Sequence, residues 1–299
     1  MTTEASPAEV FAHQCRQAHQ LVQAYLDDKL PPPTKPGYVT DPAVKQRVKQ
    51  RIRQSMAELS HALDDVSDVA MSYNGGKDCL VMVVLILAVL HTKSLPPNYQ
   101  LDSVYINAEV EFAEVREFIR QSNQRLGLRS VPIKAHLKQG FQQYLDANPH
   151  INRIIIGIRR SDPYGATLKF AQATDGDWPR FTRLHPILDW TYVDVWAFLV
   201  ETGIDYCPMY DQGYTSLGGR DTTVPNPFLK RDDGTYAPAY MLTEDADARE
   251  RLGRCRYTEC QRSNRDVADT ITNGNGNSTN NNYMTNTNQS APVSGQTKD

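Results

Sequence analysis

The sequence predicts an α/β protein with a doubly wound, mainly parallel sheet. Short β-like runs alternate with helical runs through the middle of the chain, an order typical of parallel strands with helices on both faces. The chain has 299 residues, of which 40% are apolar, so it is long enough to bury the core that such a sheet needs. Added helical elements are expected at both ends of the sheet domain.

The first predicted elements are two helices that precede the sheet. Residues 8–30 carry apolar side chains at helical spacing and are closed by the prolines 31–33. Residues 43–64 repeat the pattern, with apolar side chains at steps of three and four. Together they form an N-terminal helical segment, 1–64, which we expect to pack on the sheet domain of residues 65–269.

The strands of the sheet domain are predicted from short apolar runs, each followed by a helical run. They are strand 66–73 before helix 77–91, strand 103–106 before helix 112–126, strand 131–135 before helix 138–146, strand 153–158, and strand 184–188 before helix 192–202. Ligands of doubly wound sheets bind beyond the carboxyl ends of the strands, where the strand order reverses. Candidate functional residues are therefore expected directly after residues 73, 106, 158 and 188.

Composition and charge exclude several other classes of protein. Lys and Arg number 32 against 35 Asp and Glu, and the net charge of −3 argues against a protein that holds nucleic acid through bulk positive charge. The longest apolar run, 79–90, is too short to span a membrane. The N-terminus does not resemble a signal peptide and the five cysteines are scattered, so we expect a cytoplasmic protein with reduced thiols. The Asn-rich residues 270–299 predict a disordered tail.

The strongest chemical signal is residues 72–78, Ser-Tyr-Asn-Gly-Gly-Lys-Asp, where the first strand leads through two glycines into an apolar helix. Glycines allow a sharp turn that presents backbone N–H groups, and the helix N-terminus adds partial positive charge. The segment therefore predicts a phosphate or pyrophosphate site, although an ordinary strand-to-helix turn would share the two glycines. It is not a Walker A loop, because Met71 replaces the first glycine of that motif and Asp78 its Ser or Thr.

Two further motifs follow later strands. In residues 157–163 the adjacent Arg159 and Arg160 suit a phosphate or carboxylate, because a guanidinium group binds two oxygens at once. A solvated basic turn is the alternative for this pair. The loop 175–183 contains Trp178, which would either stack on a planar ligand or fill the core beneath the loop.

Residues 72–78 resemble the PP-loop of the adenine nucleotide α-hydrolase-like proteins, which cleave ATP between the α and β phosphates. The ordered motifs from residue 72 to about residue 254 are similar to those of the eukaryotic, fungal-type FAD synthetases, or FMN adenylyltransferases. This resemblance implies a Rossmann-like PP-loop fold related to the phosphoadenylylsulfate reductases. The reductases carry a C-terminal Glu-Cys-Gly-x-His motif, whereas Gln and Arg follow Glu259 and Cys260 here, so reductase activity is not expected.

The resemblance also implies which residues bind the two substrates. Those expected to bind ATP are Ser72, Tyr73, Asn74, Gly75, Gly76, Lys77, Asp78 and Asn107. Within this group Asn74 and Asp78 are also expected to be catalytic and to organise Mg²⁺, which prefers oxygen ligands. Those expected to bind FMN and FAD are Gly157, Arg159, Arg160, Asp162, Asp175, Trp178 and Arg183.

Two arginines near the end of the motif set complete the implied site. Arg251 and Arg254 match the spacing of the family's catalytic arginines, which stabilise negative charge around the α-phosphorus. Two alternatives stay open for this assignment. The same spacing recurs at Arg262 and Arg265, and the first pair could instead form a basic helix end paired with a neighbouring carboxylate.

The implied reaction transfers AMP from ATP to the phosphate of FMN and gives FAD and pyrophosphate. A phosphate monoester is largely dianionic at pH 7, since its second pKa is about 6, so no general base is required. Two other functions stay open: another PP-loop adenylyltransferase, such as an ATP sulfurylase-like enzyme, and a non-catalytic flavin- or nucleotide-binding module. We expect a monomer with the small-molecule substrates ATP and FMN, and neither a nucleic-acid nor a membrane partner.

Overall fold

The computed structural model describes residues 5–254, and within them one sheet of six strands. The strands are β1 (Val69–Ser72), β2 (Asp102–Ile106), β3 (Arg129–Ile133), β4 (Arg153–Ile155), β5 (Ala171–Ala173) and β6 (Thr182–Leu184). They lie in the order β3-β2-β1-β4-β6-β5, and every neighbouring pair is parallel except β5 with β6. The prediction of an α/β protein with a mainly parallel sheet is therefore confirmed.

Helices cover both faces of the central strands. They are α1 (Pro7–Leu26), α2 (Pro42–Ala62), α3 (Lys77–Leu90), α4 (Ala113–Leu126), α5 (Leu137–Ala147), α6 (Tyr192–Thr202) and α7 (Ala246–Arg249). Val69 and Met71 of β1 face the larger core, which contains α3, whereas Ala70 between them faces a smaller core with α5. A central strand buried on both faces is the arrangement of a doubly wound sheet.

The N-terminal helices α1 and α2 pack against α3. Phe11 of α1 and Ile52 of α2 are fully buried in the same core as α3, which is apolar and buried throughout residues 79–90. α1 ends at Leu26, earlier than predicted, because Asp28 adopts a left-handed backbone with a φ of +56°. The predicted N-terminal helices therefore share the core of the sheet domain.

The far side of the sheet departs from the prediction. The predicted strand 184–188 is displaced: β6 ends at Leu184, and residues 186–189 form a turn. The predicted strand 153–158 ends early, at Ile155. β5 was not predicted, because its sequence Ala-Gln-Ala lacks the β-branched and aromatic residues typical of strands. Its pairing with β6 makes it a strand.

The strand order places a crevice at the carboxyl ends of β1 and β4. From β1 the chain continues to β2 and β3 on one side, and it then returns to β4 on the other side of β1. Open α/β sheets bind their ligands at such a reversal. The residues that follow β1 and β4 are therefore the candidates for ligand binding.

Some of the sequence predictions concern residues outside 5–254. The predicted tail 270–299, the alternative arginines Arg262 and Arg265, and the segment with Glu259 lie beyond the described range. Among the described helices, none combines the length and apolar character needed to cross a membrane.

Candidate active site

A cleft of about 290 Å³ lies at the carboxyl ends of β1, β2 and β4. One wall comes from the turn between β1 and α3, and another from the segments 210–218 and 250–254. The predicted site residues that line it are Asn74, Gly76, Lys77, Asp78, Asn107, Gly157, Asp162, Arg251 and Arg254. The structure therefore brings together residues that are far apart in the sequence.

The turn after β1 has a shape that requires glycine. Gly75 has a φ of +68°, and a Cβ atom there would lie 2.8 Å from Cγ1 of Ile119. The side-chain oxygen of Asn74 accepts a hydrogen bond from the N–H of Gly76 at 2.9 Å. Gly76 is the N-cap of α3 and has no side chain that could occupy the first amides of the helix. The turn thus presents backbone donors and the positive end of a helix to the cleft.

A buried tyrosine supports this turn from the opposite side of the cleft. The hydroxyl oxygen of Tyr210 accepts a hydrogen bond from the N–H of Lys77 at 3.0 Å. The Tyr210 ring packs against Trp196, with the ring centroids 5.1 Å apart and the planes nearly perpendicular. Tyr210 therefore ties the start of α3 to the aromatic core.

The ammonium of Lys77 is shielded from solvent by its own ion pairs. The side chain is 3% exposed, and Nζ donates to Oδ2 of Asp78 at 2.9 Å and to Oε1 of Glu250. Burial alone would lower the pKa of Lys77, but the carboxylates of Asp78 and Glu250 outweigh it and raise that pKa. The lysine is therefore charged, and its charge is matched inside the protein.

Arg159 is fully buried and contacts three carboxylates. Its Nε lies 2.7 Å from Oδ1 of Asp78, Nη1 donates to Oδ1 of Asp247 at 2.8 Å, and Nη2 donates to Oε2 of Glu250. Burial opposes its charge, but the nearby carboxylates raise the pKa of Arg159 further. The guanidinium thus joins the turn after β1 to the C-terminal segment and does not line the cleft.

The predicted magnesium ligands Asn74 and Asp78 are already engaged. Burial raises the pKa of Asp78, but Arg159 and Lys77 outweigh it and keep that pKa below the usual value. Each carboxylate oxygen of Asp78 faces one of these cations, and Asn74 accepts the Gly76 amide. Within residues 5–254, no group of three or more His, Cys, Asp and Glu side chains is arranged to hold a metal ion. Oδ1 of Asp78 is buried and accepts no hydrogen bond, and Mg²⁺ in nucleotide sites needs only one or two protein carboxylates, so the role of Asn74 and Asp78 toward Mg²⁺ stays a prediction.

In the motif of residues 157–163, after β4, some residues line the cleft and others point away from it. Gly157 and Asp162 line the cleft, and the N–H of Arg159 donates to Oδ2 of Asp162 at 2.9 Å. Arg160 turns away: it pairs with Asp189, and its Nη1 donates to carbonyl oxygens of the loop that follows. Arg160 is half-exposed and thus fits the alternative of a solvated basic turn, while its predicted contact with FMN stays a prediction.

The predicted flavin-ring residues lie away from the cleft wall. Oδ2 of Asp175 accepts a hydrogen bond from Arg183 at 2.7 Å, on the hairpin between β5 and β6. Trp178 is 37% exposed, so it does not fill the core beneath the loop. The three residues lie together on one hairpin, outside the cleft lining. Their contact with the isoalloxazine ring stays a prediction.

Arg251 and Arg254 form a positively charged part of the wall. Arg254 packs so closely on Gly218 that a Cβ atom there would lie 2.1 Å from Nη1 of the arginine. Burial and the positive charge of Arg251 both lower the pKa of Arg254. Nη1 of Arg251 is 3.8 Å from Oδ1 of Asp162. Two neighbouring guanidinium groups at a cleft suit a phosphate ligand.

Asn107 organises the loop after β2. Its Nδ2 donates to Oε1 of Glu111, and its Oδ1 accepts the N–H of Glu109, both at 2.9 Å. Oε2 of Glu109 in turn accepts the N–H of Gly219 at 2.5 Å. The loop is thereby fixed to the C-terminal half of the cleft.

Sequence reasoning missed four of the residues that shape the cleft: Tyr210, Glu109, Glu111 and Glu250. Glu109 and Glu111 follow the strand end at residue 106, so the expectation that functional groups follow the strands could have included them. Glu250 is one of the carboxylates next to the predicted basic helix end, and Tyr210 carries no distinguishing signal in the sequence. Long-range contacts alone identify these last two.

Known proteins with similar sequences indicate the family of this chain. A family model described as the phosphoadenosine phosphosulfate reductase domain matches residues 68–143 and 137–225. A probable FAD synthase of Schizosaccharomyces pombe is 38% identical over 223 residues, which are 73% of this chain and 83% of that protein. The flavin adenine dinucleotide synthase of Saccharomyces cerevisiae is 32% identical over 191 residues, 57% of this chain and 62% of that protein.

Solved structures show the same relationship. The FMN adenylyltransferase of Candida glabrata in complex with FAD and inorganic pyrophosphate superposes with a TM-score of 0.73 at 25% identity, covering 82% of this chain and 97% of that one. The complex of that enzyme with FMN and the ATP analog AMPCPP also gives a TM-score of 0.73. The chain therefore belongs to the FAD synthetases of the phosphoadenosine phosphosulfate reductase domain family.

Proposed function

We propose that the protein is an FMN adenylyltransferase, which transfers AMP from ATP to the phosphate of FMN and releases pyrophosphate. The main support for this proposal is the arrangement of charge in the cleft of this FAD synthetase chain. The cleft at the strand reversal has the glycine turn of 74–78 on one wall and the pair Arg251 and Arg254 on another. An enzyme that joins two polyanions needs such positive groups on both sides of the reacting phosphorus.

The glycine turn suits the pyrophosphate that leaves. Its amides and the N-terminus of α3 provide donors and partial positive charge without a mobile side chain. The Lys77 ammonium contributes from behind the turn, where two carboxylates already balance it. The Gly76 and Lys77 amides already donate to Asn74 and Tyr210, so we infer that the β and γ phosphates are held by the other amides of the turn and by the positive end of α3.

The nucleophile is a terminal phosphate oxygen of FMN. It forms a bond to the α-phosphorus of ATP as the bond from that phosphorus to the bridging oxygen breaks, and the electron pair leaves with pyrophosphate. No proton moves, because a phosphate monoester is already largely dianionic at pH 7. Catalysis then consists of orienting two anions and stabilising the charge around the α-phosphorus, the role proposed for Arg251 and Arg254.

On the FMN side, the two cleft residues after β4 differ in what they can do. Gly157 has no side chain at the end of β4, where a Cβ atom would crowd Sγ of Cys79 at 3.3 Å. The Asp162 carboxylate would repel a phosphate, so we infer that it acts by holding the backbone of Arg159 and the guanidinium of Arg251. The flavin ring would then extend past Asp162 toward the hairpin that carries Asp175 and Trp178.

Magnesium, compartment and oligomeric state remain proposals. Mg²⁺ usually keeps water and phosphate ligands in nucleotide sites, so we expect it to arrive bound to the ATP phosphates. The expectation of a cytoplasmic monomer rests on the sequence alone.

Formation of the product tests the proposal directly. The protein is incubated with ATP, Mg²⁺ and either FMN or sulfate, and flavins and pyrophosphate are separated by chromatography. The proposal predicts FAD and one pyrophosphate per FAD with FMN, and no pyrophosphate with sulfate. Pyrophosphate release with sulfate alone would favour a sulfurylase-like enzyme, and binding of FMN without any release would favour a non-catalytic module.

A further inference from the structure

Glu250 bridges the two buried cations of the site. The side chain is 5% exposed; one carboxylate oxygen accepts from Nζ of Lys77 and the other from Nη2 of Arg159. Lys77 follows β1 and Arg159 follows β4, so the two cations come from the strands that flank the reversal. A single carboxylate therefore touches both sides of the crevice.

The same residue begins the turn that carries the arginine pair. Residues 250–253 form a 3-10 helix, with Arg251 inside it and Arg254 at its end. The backbone carbonyl of Glu250 accepts a hydrogen bond from Oγ1 of Thr215 at 2.6 Å. The side-chain carboxylate and the backbone carbonyl of Glu250 are thus both held by hydrogen bonds. These bonds orient the turn of residues 250–254.

Stability alone is a weak reason for this arrangement. The attraction within a buried ion pair is largely offset by the free-energy cost of removing its charges from water. Proteins in which apolar residues replace such a pair are often as stable as the original. A bridge between the glycine turn and the arginine turn has a second effect, because it fixes the two positive walls of the cleft relative to each other.

We propose that Glu250 is a positioning residue, which sets Arg251 and Arg254 against the glycine turn through Lys77 and Arg159. This inference rests on the proposed adenylyl transfer. Glu250 lines the cleft, but both of its carboxylate oxygens are engaged by Lys77 and Arg159, so it acts through the arginines that follow it. It also balances the charge of the two buried cations, so that the arginine turn supplies the charge facing the reacting phosphorus.

Removal of the carboxylate has two opposed consequences. The arginine turn loses its anchor, so the transition state is stabilised less and kcat falls. Lys77 and Arg159 lose a counter-charge, so the glycine turn becomes more attractive to the phosphates of ATP. General damage to the fold would instead weaken ATP binding and slow turnover together.

The first variant is Glu250→Gln, which keeps the shape of the side chain and removes its charge. We expect kcat to fall on the order of 10²-fold, as for loss of a preorganised electrostatic group. The affinity for AMPCPP, measured by calorimetry, should stay equal or increase. The control is Glu244→Gln, whose exposed carboxylate pairs with Arg249 near the same turn; it should behave like the wild type. A wild-type kcat in Glu250→Gln, or a parallel loss of AMPCPP affinity, would overturn the proposal.

A double variant tests whether Glu250 acts through the arginines. Glu250→Gln combined with Arg251→Ala should lose less activity than the product of the two single losses, because the position of the missing Arg251 no longer matters while Arg254 still depends on Glu250. Losses that multiply would show that Glu250 acts elsewhere. If Glu250→Gln fails to fold, Glu250→Asp takes its place, since it keeps the charge on a shorter side chain. If the Glu250→Asp variant folds and keeps the wild-type kcat, the length of the Glu250 side chain does not matter for positioning the arginines, and the proposal is contradicted.

The proposed adenylyl transfer and the proposed role of Glu250 can be disproved separately. If the wild type forms no FAD, the adenylyl transfer is wrong, whatever Glu250 does. If the wild type forms FAD and the Glu250 variants form it equally fast, only the positioning role is wrong.

Discussion

The two positive walls of the cleft are built in different ways. The glycine turn of residues 74–78 is held by contacts between near neighbours, such as Asn74 with the Gly76 amide. The C-terminal wall is held by contacts over long sequence distances: Glu250 reaches Lys77 across 173 positions, and Asn226 donates to the carbonyl of Arg249. The backbone of the first wall is shaped mainly by its own residues, with Tyr210, Arg159 and Glu250 as distant supports, whereas the second wall depends on distant partners throughout.

This difference predicts how each wall fails. A local turn is disrupted by changes within it, and its effects should appear as strain and lost stability. A wall assembled by distant contacts can lose its catalytic geometry while the core stays folded, because the 3-10 helix of residues 250–253 places no side chain in the main hydrophobic core. Substitutions in the two walls should therefore separate activity from stability.

The largest effect is expected on the C-terminal wall. Arg254→Ala should lower kcat about 10²- to 10³-fold, because it removes a preorganised cation from the transition state. Steady-state kinetics with ATP and FMN measure this loss. The control is Arg249→Ala, an arginine close by in the sequence whose guanidinium pairs with Glu244 and Asp245. Equal losses in both variants would mean that the segment needs general charge rather than this arginine.

Much of the first wall and of the fold could be predicted from the sequence. The alternation of apolar strands and helices gives the sheet, and the two glycines before an apolar helix give the turn, because both signals are local. The adjacent Arg159 and Arg160 show the limit of such reasoning. The sequence treats them alike, but one is buried among three carboxylates and the other braces a surface loop. Which carboxylates surround each arginine depends on the tertiary fold.

The next prediction concerns the hairpin outside the cleft lining. If Asp175 accepts a hydrogen bond from the flavin ring, Asp175→Ala should weaken FMN and FAD binding by about 1.5–3 kcal/mol, or roughly 10- to 150-fold. Trp178→Ala should also weaken both, and AMPCPP binding should stay unchanged. Fluorescence titration of the flavins measures the effect.

The matched control for this hairpin is Asp177→Ala. Asp177 is exposed and pairs with Lys138 on α5, so its removal should leave flavin affinity as in the wild type. Unchanged flavin affinity in both Asp175→Ala and Trp178→Ala would place the ring elsewhere.

A smaller effect, on stability, is expected in the glycine turn. Gly75→Ala adds a Cβ atom 2.8 Å from Ile119 at a left-handed position, which should destabilise the fold by about 1–3 kcal/mol. Gly176→Ala is the control, since its φ of +57° is similar but nothing lies within 4 Å of the added atom. Urea unfolding should show a larger loss for Gly75→Ala. Equal losses would show that the backbone conformation, and not the contact with Ile119, decides the cost.

The smallest effect is expected at Tyr210. Tyr210→Phe removes one hydrogen bond to the Lys77 amide, a loss of about 1 kcal/mol or roughly fivefold. Because this bond exists in the ligand-free protein, its loss should lower the free energy of unfolding slightly and, by loosening the turn, also weaken pyrophosphate binding. A fall in Tm without any change in pyrophosphate affinity would restrict Tyr210 to a packing role.

The central claim is that the two walls hold opposite sides of one reacting phosphorus. ATP labelled with ³²P at either the α or the γ position, incubated with FMN and the protein, tests it most directly. The account predicts that the α label appears in FAD and the γ label in pyrophosphate. Transfer of the γ label to a flavin, or conversion of ATP to ADP during the reaction, would contradict it.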